Sequence, residues 1–235
     1  MEDFHRTLTD IVFRAGHDLG LVLAGGYAIS AHELTTRPSE DVDFATATAI
    51  PMPMPMPEIV DRLFNAFHAA GFTVSVVEVT PRMARLSVTD STRSCAVDVL
   101  KEAIGPPALL AVGPVLDLDD AVGMKVAALH DRAAHRDFVD VHAAAVRGGY
   151  TLLDLERLGR IHQPAWSPAA LQSRLASIEL RGARRFLDYG LTYDEANAVV
   201  WWAQQWAADI DSRLHQESER GPAENATNWD DYLDS

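Results

Sequence analysis

The sequence predicts an α+β fold, in which a small sheet with flanking helices is followed by a helical region. Two observations carry this prediction. Short runs rich in β-branched residues alternate with helical patterns as far as residue 100. After residue 114 strand patterns disappear, and helical spacing fills 118–146, 151–162, 168–187 and 192–214. We therefore expect an α/β core over 1–114, a helical domain over 115–215 and an acidic, flexible tail over 216–235.

The first half begins with elements that apolar spacing defines one after another. Apolar residues at helical spacing predict a helix over 4–18, and "LGLVLAGG" predicts a short buried strand that ends in two glycines. "YAISAHEL" then predicts a second helix, and "EDVDFAT" predicts a second strand. "PMPMPMP" (51–57) predicts a stiff extended connector, because alternate prolines remove N–H donors and fix φ.

An amphipathic helix over 58–70, which Gly71 ends, leads into three further predicted strands. These strands are "FTVSVVEV", "MARLSVTD" and "CAVDVL", and Thr80-Pro81 between the first two favours a hairpin. "GPPALLAVGP" (105–114) is predicted to be a loop that separates the two halves of the chain.

The formal net charge of −14 argues against broad nucleic-acid binding, because phosphate contacts need Lys and Arg. Part of that charge is local, since residues 216–235 carry six carboxylates against one arginine, a net of −5. The single cysteine excludes an internal disulfide framework. No signal-peptide pattern opens the chain, and no apolar run approaches the roughly 20 residues that span a bilayer. We expect a soluble cytoplasmic protein that makes no membrane contact.

Two carboxylates stand one residue apart in the second predicted strand, within "SEDVDF". Since side chains alternate along a strand, Asp41 and Asp43 share a face, with Cα atoms roughly 6.5 Å apart. Asp98 projects in the same way from between the two valines of "AVDVL". If these strands are neighbours, the three carboxylates form one cluster. Their mutual repulsion is usually offset by a bound hard divalent cation. A lone D-x-D is also common as a purely structural feature.

The glycine pair in "LAGGYA" strengthens the functional interpretation of the carboxylates. Gly25 and Gly26 lie between a strand and a helix, where backbone N–H groups can approach a phosphate and the helix dipole assists. A phosphate-binding turn beside three carboxylates is typical of a centre for nucleotidyl transfer.

Together these motifs resemble the signature of the polymerase-β-like nucleotidyltransferase superfamily, and more closely its branch of AbiEii and MenT toxins. The resemblance rests on Gly25-Gly26, Arg37, Ser39, Asp41 and Asp43, then on Lys125 to Ala128 and on Arg136-Asp137-x-x-Asp140. It covers about residues 20–145 and implies a small mixed-sheet nucleotidyltransferase core with flanking helices. It also implies Mg²⁺ or Mn²⁺ as cofactor, an NTP as substrate, a tRNA acceptor and a cognate antitoxin as partner.

The expected site combines metal ligands, catalytic residues and nucleotide-binding residues. Asp41, Asp43 and Asp98 are expected to bind the metal and, with Lys125, to be catalytic. The nucleotide is expected to contact Gly25, Gly26, Arg37, Ser39, Lys125, Arg132 and Asp137. Structural interpretations compete for three of these residues: a solvated helix lysine for Lys125, a local turn for Ser39 and a helix cap for Asp137.

The sequence thus predicts an enzyme that transfers NMP from an NTP to an acceptor hydroxyl and releases pyrophosphate. The resemblance implies a toxin of a type IV-like toxin–antitoxin system, and it favours one that acts on tRNA 3′ ends over one that adds NMP to a protein hydroxyl. Two alternatives stay open. An antibiotic nucleotidyltransferase of the aminoglycoside type would suit the negative charge, and a non-catalytic binding protein would keep the same fold.

Overall fold

The computed structural model describes residues 1–48 and 54–219, without the side chains of residues 180 and 181. Residues 51–53 of the predicted connector and residues 220–235 of the predicted tail lie outside this part. The helices within it are α1 Asp3–Ala15, α2 Gly25–Ala31, α3 Met56–Ala69, α4 Leu118–Asp131, α5 His135–Arg147, α6 Leu152–His162, α7 Pro168–Ala176, α8 Ile178–Arg181 and α9 Tyr193–Glu219, with a 3₁₀ helix at Ala183–Tyr189. The strands are β1 Val22–Leu23, β2 Asp41–Ala47, β3 Thr73–Val79, β4 Met83–Thr89, β5 Ser94–Glu102, β6 Ala108–Leu110 and β7 Gly113–Val115.

These strands form one mixed sheet in the order β3-β4-β5-β2-β1-β7-β6. β2 pairs in parallel with β5, and β1 with β7, whereas the other neighbouring pairs are antiparallel. One face packs against α1 and α3, and on it Val42, Phe44, Val97 and Val99 are fully buried. Because side chains alternate, Asp41, Asp43 and Asp98 point from the opposite face. The predicted α+β fold with a mixed sheet is confirmed.

Half of the segment predicted to be a loop, 105–114, is part of this sheet. β6 and β7 form an antiparallel hairpin, and β7 also pairs with β1. Each of the two strands has only three residues, too few for a recognisable alternation of apolar and polar positions. Gly113, with φ of +123°, permits the turn into β7. The loop prediction is therefore wrong for 108–110 and 113–114.

The helical patterns of the second half correspond to helices, with interruptions. The pattern over 118–146 is divided between α4 and α5, where Ala133 adopts a φ of +48°. The pattern over 168–187 is divided among α7, α8 and the 3₁₀ helix. α3 begins at Met56, so the last two residues of the predicted connector are helical. Proline is tolerated there, because the first turn of a helix has no intrahelical use for its N–H groups.

α9 closes the helical region by packing against α7 and α5. Its Trp206 is fully buried and donates from Nε1 to Glu156 of α6 at 3.1 Å, which satisfies the indole N–H. Trp206 is thus a core residue, as its i, i+4 spacing with Trp202 predicts. Over residues 1–48 and 54–219, every helix is too short or too polar to cross a membrane.

Candidate active site

A cavity of about 360 Å³ lies between α4 and the sheet face that α1 and α3 leave uncovered. Its walls contain eight of the ten residues that the sequence singles out, namely Gly25, Gly26, Arg37, Asp41, Asp43, Asp98, Lys125 and Arg132. The other two, Ser39 and Asp137, lie directly behind the wall and contact Asp41 and Arg132. Residues as far apart in the chain as Gly25 and Arg132 are thus brought to one place by the fold.

The three carboxylates come together because β2 and β5 are neighbours. In their parallel pairing, Asp43 lies directly opposite Asp98, and Asp41 lies two residues earlier on the same face. Burial and the charge of Asp41 raise the pKa of Asp43 to about 6. Negative charge is therefore concentrated at this end of β2, as the sequence predicts.

The donor chemistry of this cluster suits a hard divalent cation, but the cluster is not assembled as a closed metal site. Asp41 and Asp43 face the cavity with oxygen ligands of the kind that Mg²⁺ prefers. Asp98, in contrast, accepts two hydrogen bonds from Arg85, from Nε at 2.7 Å and from Nη2 at 2.5 Å. Among the described residues, no three carboxylate, imidazole or thiol groups converge as ligands of one ion. Asp41 also contacts an arginine, but only through Arg136 Nη1 at 3.4 Å, so the two-point pairing of Asp98 with Arg85 is the tighter of the two.

The glycine pair opens α2, and the side chains around it leave no room for a larger residue. Gly25 has φ of +60°, and a Cβ atom there would lie 1.8 Å from Asp43 Oδ2. A Cβ atom on Gly26 would lie 2.9 Å from both Arg37 Nη2 and Ser39 Oγ. The absence of side chains therefore lets the backbone of α2 reach the carboxylates and the cations of the site. Phosphate binding by this turn stays a prediction.

Asp140 of α5 is fully buried and joins two of the expected cationic residues. Arg37 donates to both its oxygens, from Nε and Nη2 at 2.6 Å each, and Lys125 Nζ lies 2.9 Å from Oδ2. Burial alone would raise the pKa of Asp140, but Lys125 and Arg37 outweigh burial and hold this pKa below its ordinary value. Lys125 is therefore a buried, paired cation at the cavity wall and not a solvated helix lysine.

Asp137 caps the start of α5 and also binds Arg132, which lines the cavity. It stands in the first turn of α5 and accepts from the backbone N–H of Ala134 at 3.2 Å, as a helix cap does. It also accepts from Arg132 Nε and Nη2 at 3.0 Å each. Arg132 is half-exposed beyond this contact, so the pair presents a guanidinium to the cavity. Asp137 is thus a helix cap that also holds Arg132, and its contact with the nucleotide stays a prediction.

Three residues of the site were not among the expected site residues: Arg85, Arg136 and Asp140. Arg136 Nη1 donates to Asp41 Oδ2 at 3.4 Å, and the R-D-x-x-D motif already pointed to it and to Asp140. The contact of Arg85 with Asp98 could not be predicted, because it depends on how β4 and β5 pair. The cavity wall therefore holds five cationic side chains, of Arg37, Arg85, Lys125, Arg132 and Arg136.

The comparisons with known proteins identify a family and a shared fold. A sequence model of a family described as nucleotidyl transferase AbiEii toxin, type IV TA system, matches residues 6–234. Comparison with curated proteins finds no match. JHP933 from Helicobacter pylori is 18% identical with a TM-score of 0.50, over 92% of this chain and 96% of that chain. A candidate nucleotidyltransferase from H. pylori is 15% identical with a TM-score of 0.56, over 90% of this chain and 98% of that chain. At these identities the two structures share the fold with this chain.

Proposed function

Because the chain belongs to the AbiEii family of nucleotidyltransferase toxins, we propose that it transfers NMP from an NTP to the 3′-terminal hydroxyl of tRNA with Mg²⁺ or Mn²⁺ as cofactor. The observation that carries this proposal is the placement of Asp41, Asp43 and Lys125 around one cavity. Nucleotidyl transfer needs oxygen ligands for a divalent ion and a cation for the triphosphate, and these residues provide both. The family description also supports a cognate antitoxin as partner.

Asp41 and Asp43 are the residues that would hold the divalent ion, with Asp98 as a third ligand. A bound divalent ion supplies positive charge that stabilises the reacting α-phosphate and the departing pyrophosphate. The acceptor oxygen attacks the α-phosphorus, and the bond from that phosphorus to the pyrophosphate breaks. Asp98 assists by accepting the proton of the acceptor hydroxyl.

The cationic wall is suited to hold the triphosphate in place. Lys125 Nζ has three donors, and Asp140 takes one of them, so two remain for phosphate oxygens. Arg132 and the backbone of Gly25 and Gly26 complete the phosphate-binding surface. Arg37 is more deeply placed, with its side chain 4% exposed, and three of its five N–H donors go to Asp140 and to the Pro38 carbonyl oxygen. Arg37 would therefore act by keeping Asp140, and through it Lys125, in position.

A second acceptor class is favoured by one observation, the acidity of the protein. The net charge is −14, and the cavity wall also includes Glu102 and Asp131. A cationic small molecule, such as an aminoglycoside, would be attracted by this field, whereas tRNA would be repelled outside the cationic wall. We keep tRNA as the main proposal because the sequence motifs resemble those of toxins that act on tRNA 3′ ends.

The test is a transfer assay with purified protein, each labelled NTP and three acceptors: total tRNA, an aminoglycoside mixture and a protein lysate. We expect label on tRNA, dependent on added Mg²⁺ or Mn²⁺ and absent from Asp41→Asn. Label on the aminoglycoside fraction alone would replace the acceptor but keep the reaction. Incorporation that survives Asp41→Asn and Asp43→Asn would refute the proposed site.

A further inference from the structure

Arg85 and Asp98 form an ion pair with two hydrogen bonds on the sheet face that α1 and α3 leave uncovered. They lie opposite each other in the antiparallel pairing of β4 with β5, and the guanidinium holds both carboxylate oxygens. Asp98 is also the direct neighbour of Asp43 on the other side. One carboxylate therefore lies between an arginine and the pair Asp41 and Asp43, where a metal ion would bind.

The two partners of this pair differ in their access to solvent. The Asp98 side chain is 11% exposed, whereas the Arg85 side chain is 44% exposed and lines the cavity. Arg85 can thus leave the carboxylate without crossing packed atoms, but Asp98 would be left as an unpaired, nearly buried charge beside Asp43. Such a charge is costly unless another cation replaces the arginine.

We propose that Arg85 keeps Asp98 from binding a metal ion until a phosphate group of a bound substrate takes the place of the carboxylate on the guanidinium. This inference rests on the proposed function, because it assumes a divalent ion and a phosphate-bearing substrate in the same cavity. Arg85 is therefore a positioning residue for Asp98, and its second partner is a phosphate of the NTP or of the acceptor backbone.

Charge balance explains why the exchange needs both ligands together. Metal alone would pair Asp98 but leave Arg85 free, and phosphate alone would pair Arg85 but leave Asp98 free beside two other carboxylates. When metal and phosphate bind together, the Arg85–Asp98 pair is replaced by two pairs, one between Asp98 and the metal and one between Arg85 and the phosphate. The planar fork of an arginine suits carboxylate and phosphate oxygens equally well, so the guanidinium can serve either partner. The binding of metal and the binding of phosphate are therefore coupled through Arg85.

The test measures Mn²⁺ affinity by calorimetry and by EPR, without any turnover. Wild-type protein is titrated alone, with a non-hydrolysable NTP analogue, and with a dinucleotide that ends in a 3′-deoxy sugar. We expect at least one of the two phosphate ligands to tighten Mn²⁺ binding by about tenfold, which is within the usual range for coupled sites. The ligand that does so identifies the source of the phosphate.

Arg85→Gln should tighten Mn²⁺ binding in the absence of phosphate ligands and should reduce the further tightening by them to what direct ligation of Mn²⁺ by the phosphates gives. The same substitution in an Asp98→Asn background should have no effect on Mn²⁺ affinity, because the carboxylate that Arg85 occupies is gone. Arg82→Gln is the matched control, since Arg82 lies directly before β4 but pairs with Glu102 at 3.0 Å. Its Mn²⁺ affinity should equal that of the wild type.

Three results would overturn the inference. One is an unchanged Mn²⁺ affinity in Arg85→Gln. Another is a tightening of Mn²⁺ binding by Arg85→Gln that persists in the Asp98→Asn background, because Arg85 would then act only through its long-range charge. The third is wild-type affinity that neither phosphate ligand alters. Failure of the proposed function is recognised separately, because Asp41→Asn and Asp43→Asn would then bind Mn²⁺ as well as the wild type does.

Discussion

Replacing Asp140 with Asn tests the buried ion cluster beneath the cavity. The variant keeps the shape of the side chain but removes the charge that pairs with both Arg37 and Lys125. It also turns an amide N–H₂ group toward their donors. Breaking a buried ion pair by removing one partner costs about 3–5 kcal/mol, because the other charge stays buried. For a chain of this size, that loss corresponds to a melting temperature roughly 6–20 °C lower.

The assay is thermal and urea unfolding, followed by circular dichroism, for Asp140→Asn and for Asp209→Asn. Asp209 also pairs with an arginine, Arg213, but its side chain is 46% exposed, so its loss should stay within about 0.5 kcal/mol. The pKa of Asp140 is lowered in the folded state, so the pairing stabilises the protein above the unfolded pKa of about 3.9. The difference from the wild type should therefore shrink only as the pH falls below about 4. An Asp140→Asn protein that unfolds like the wild type at pH 7 would refute the reasoning.

Other substitutions test the cavity wall more directly. Lys125→Ala should lower kcat/KM for the NTP by about 2–4 kcal/mol in transition-state terms, with at most partial recovery in Lys125→Arg; wild-type kinetics would remove Lys125 from the site. Asp43→Asn should raise the melting temperature of the metal-free protein at pH 7–8, because the folded pKa of about 6 lies above the unfolded value and makes the charged form unfavourable. This gain should fade as the pH falls from 6 to 4, and a pH-independent difference would contradict it. Gly25→Ala should lose activity and at least about 1 kcal/mol of unfolding free energy in urea, since its φ is +60° and its Cβ would meet Asp43; an unaffected protein would show that α2 can shift.

The carboxylates of the site were predictable from the sequence because strand periodicity is strict. Asp41 and Asp43 had to share a face, and the flanking valines put Asp98 on the matching face of its own strand. That β2 and β5 are neighbours was the one assumption, and the structure confirms it. The glycine pair was predictable from its position between strand and helix. The close approach of Gly25 to Asp43 is a tertiary contact, which a local sequence pattern cannot predict.

Other features depend on long-range pairing and could not be predicted from the sequence. The β6–β7 hairpin consists of strands that are shorter than the alternation needed to recognise them. The Arg85–Asp98 contact follows from the register of β4 on β5, which a one-residue shift would abolish. Asp140 was visible as part of a motif, but its partners come from a loop more than 100 residues away and from another helix.

The position of Asp140 also has a mechanical consequence for the whole protein. Arg37 belongs to the segment that leads into the sheet, whereas Lys125 and Asp140 belong to the helical region, so one buried cluster joins the two halves of the chain. A hinge motion that separated the two halves would pull Arg37 away from Asp140 and expose buried charges without their partners. Such an opening would therefore be rare. Large substrates must then enter a rigid cleft from its outer rim, where the Arg85 side chain is 44% exposed.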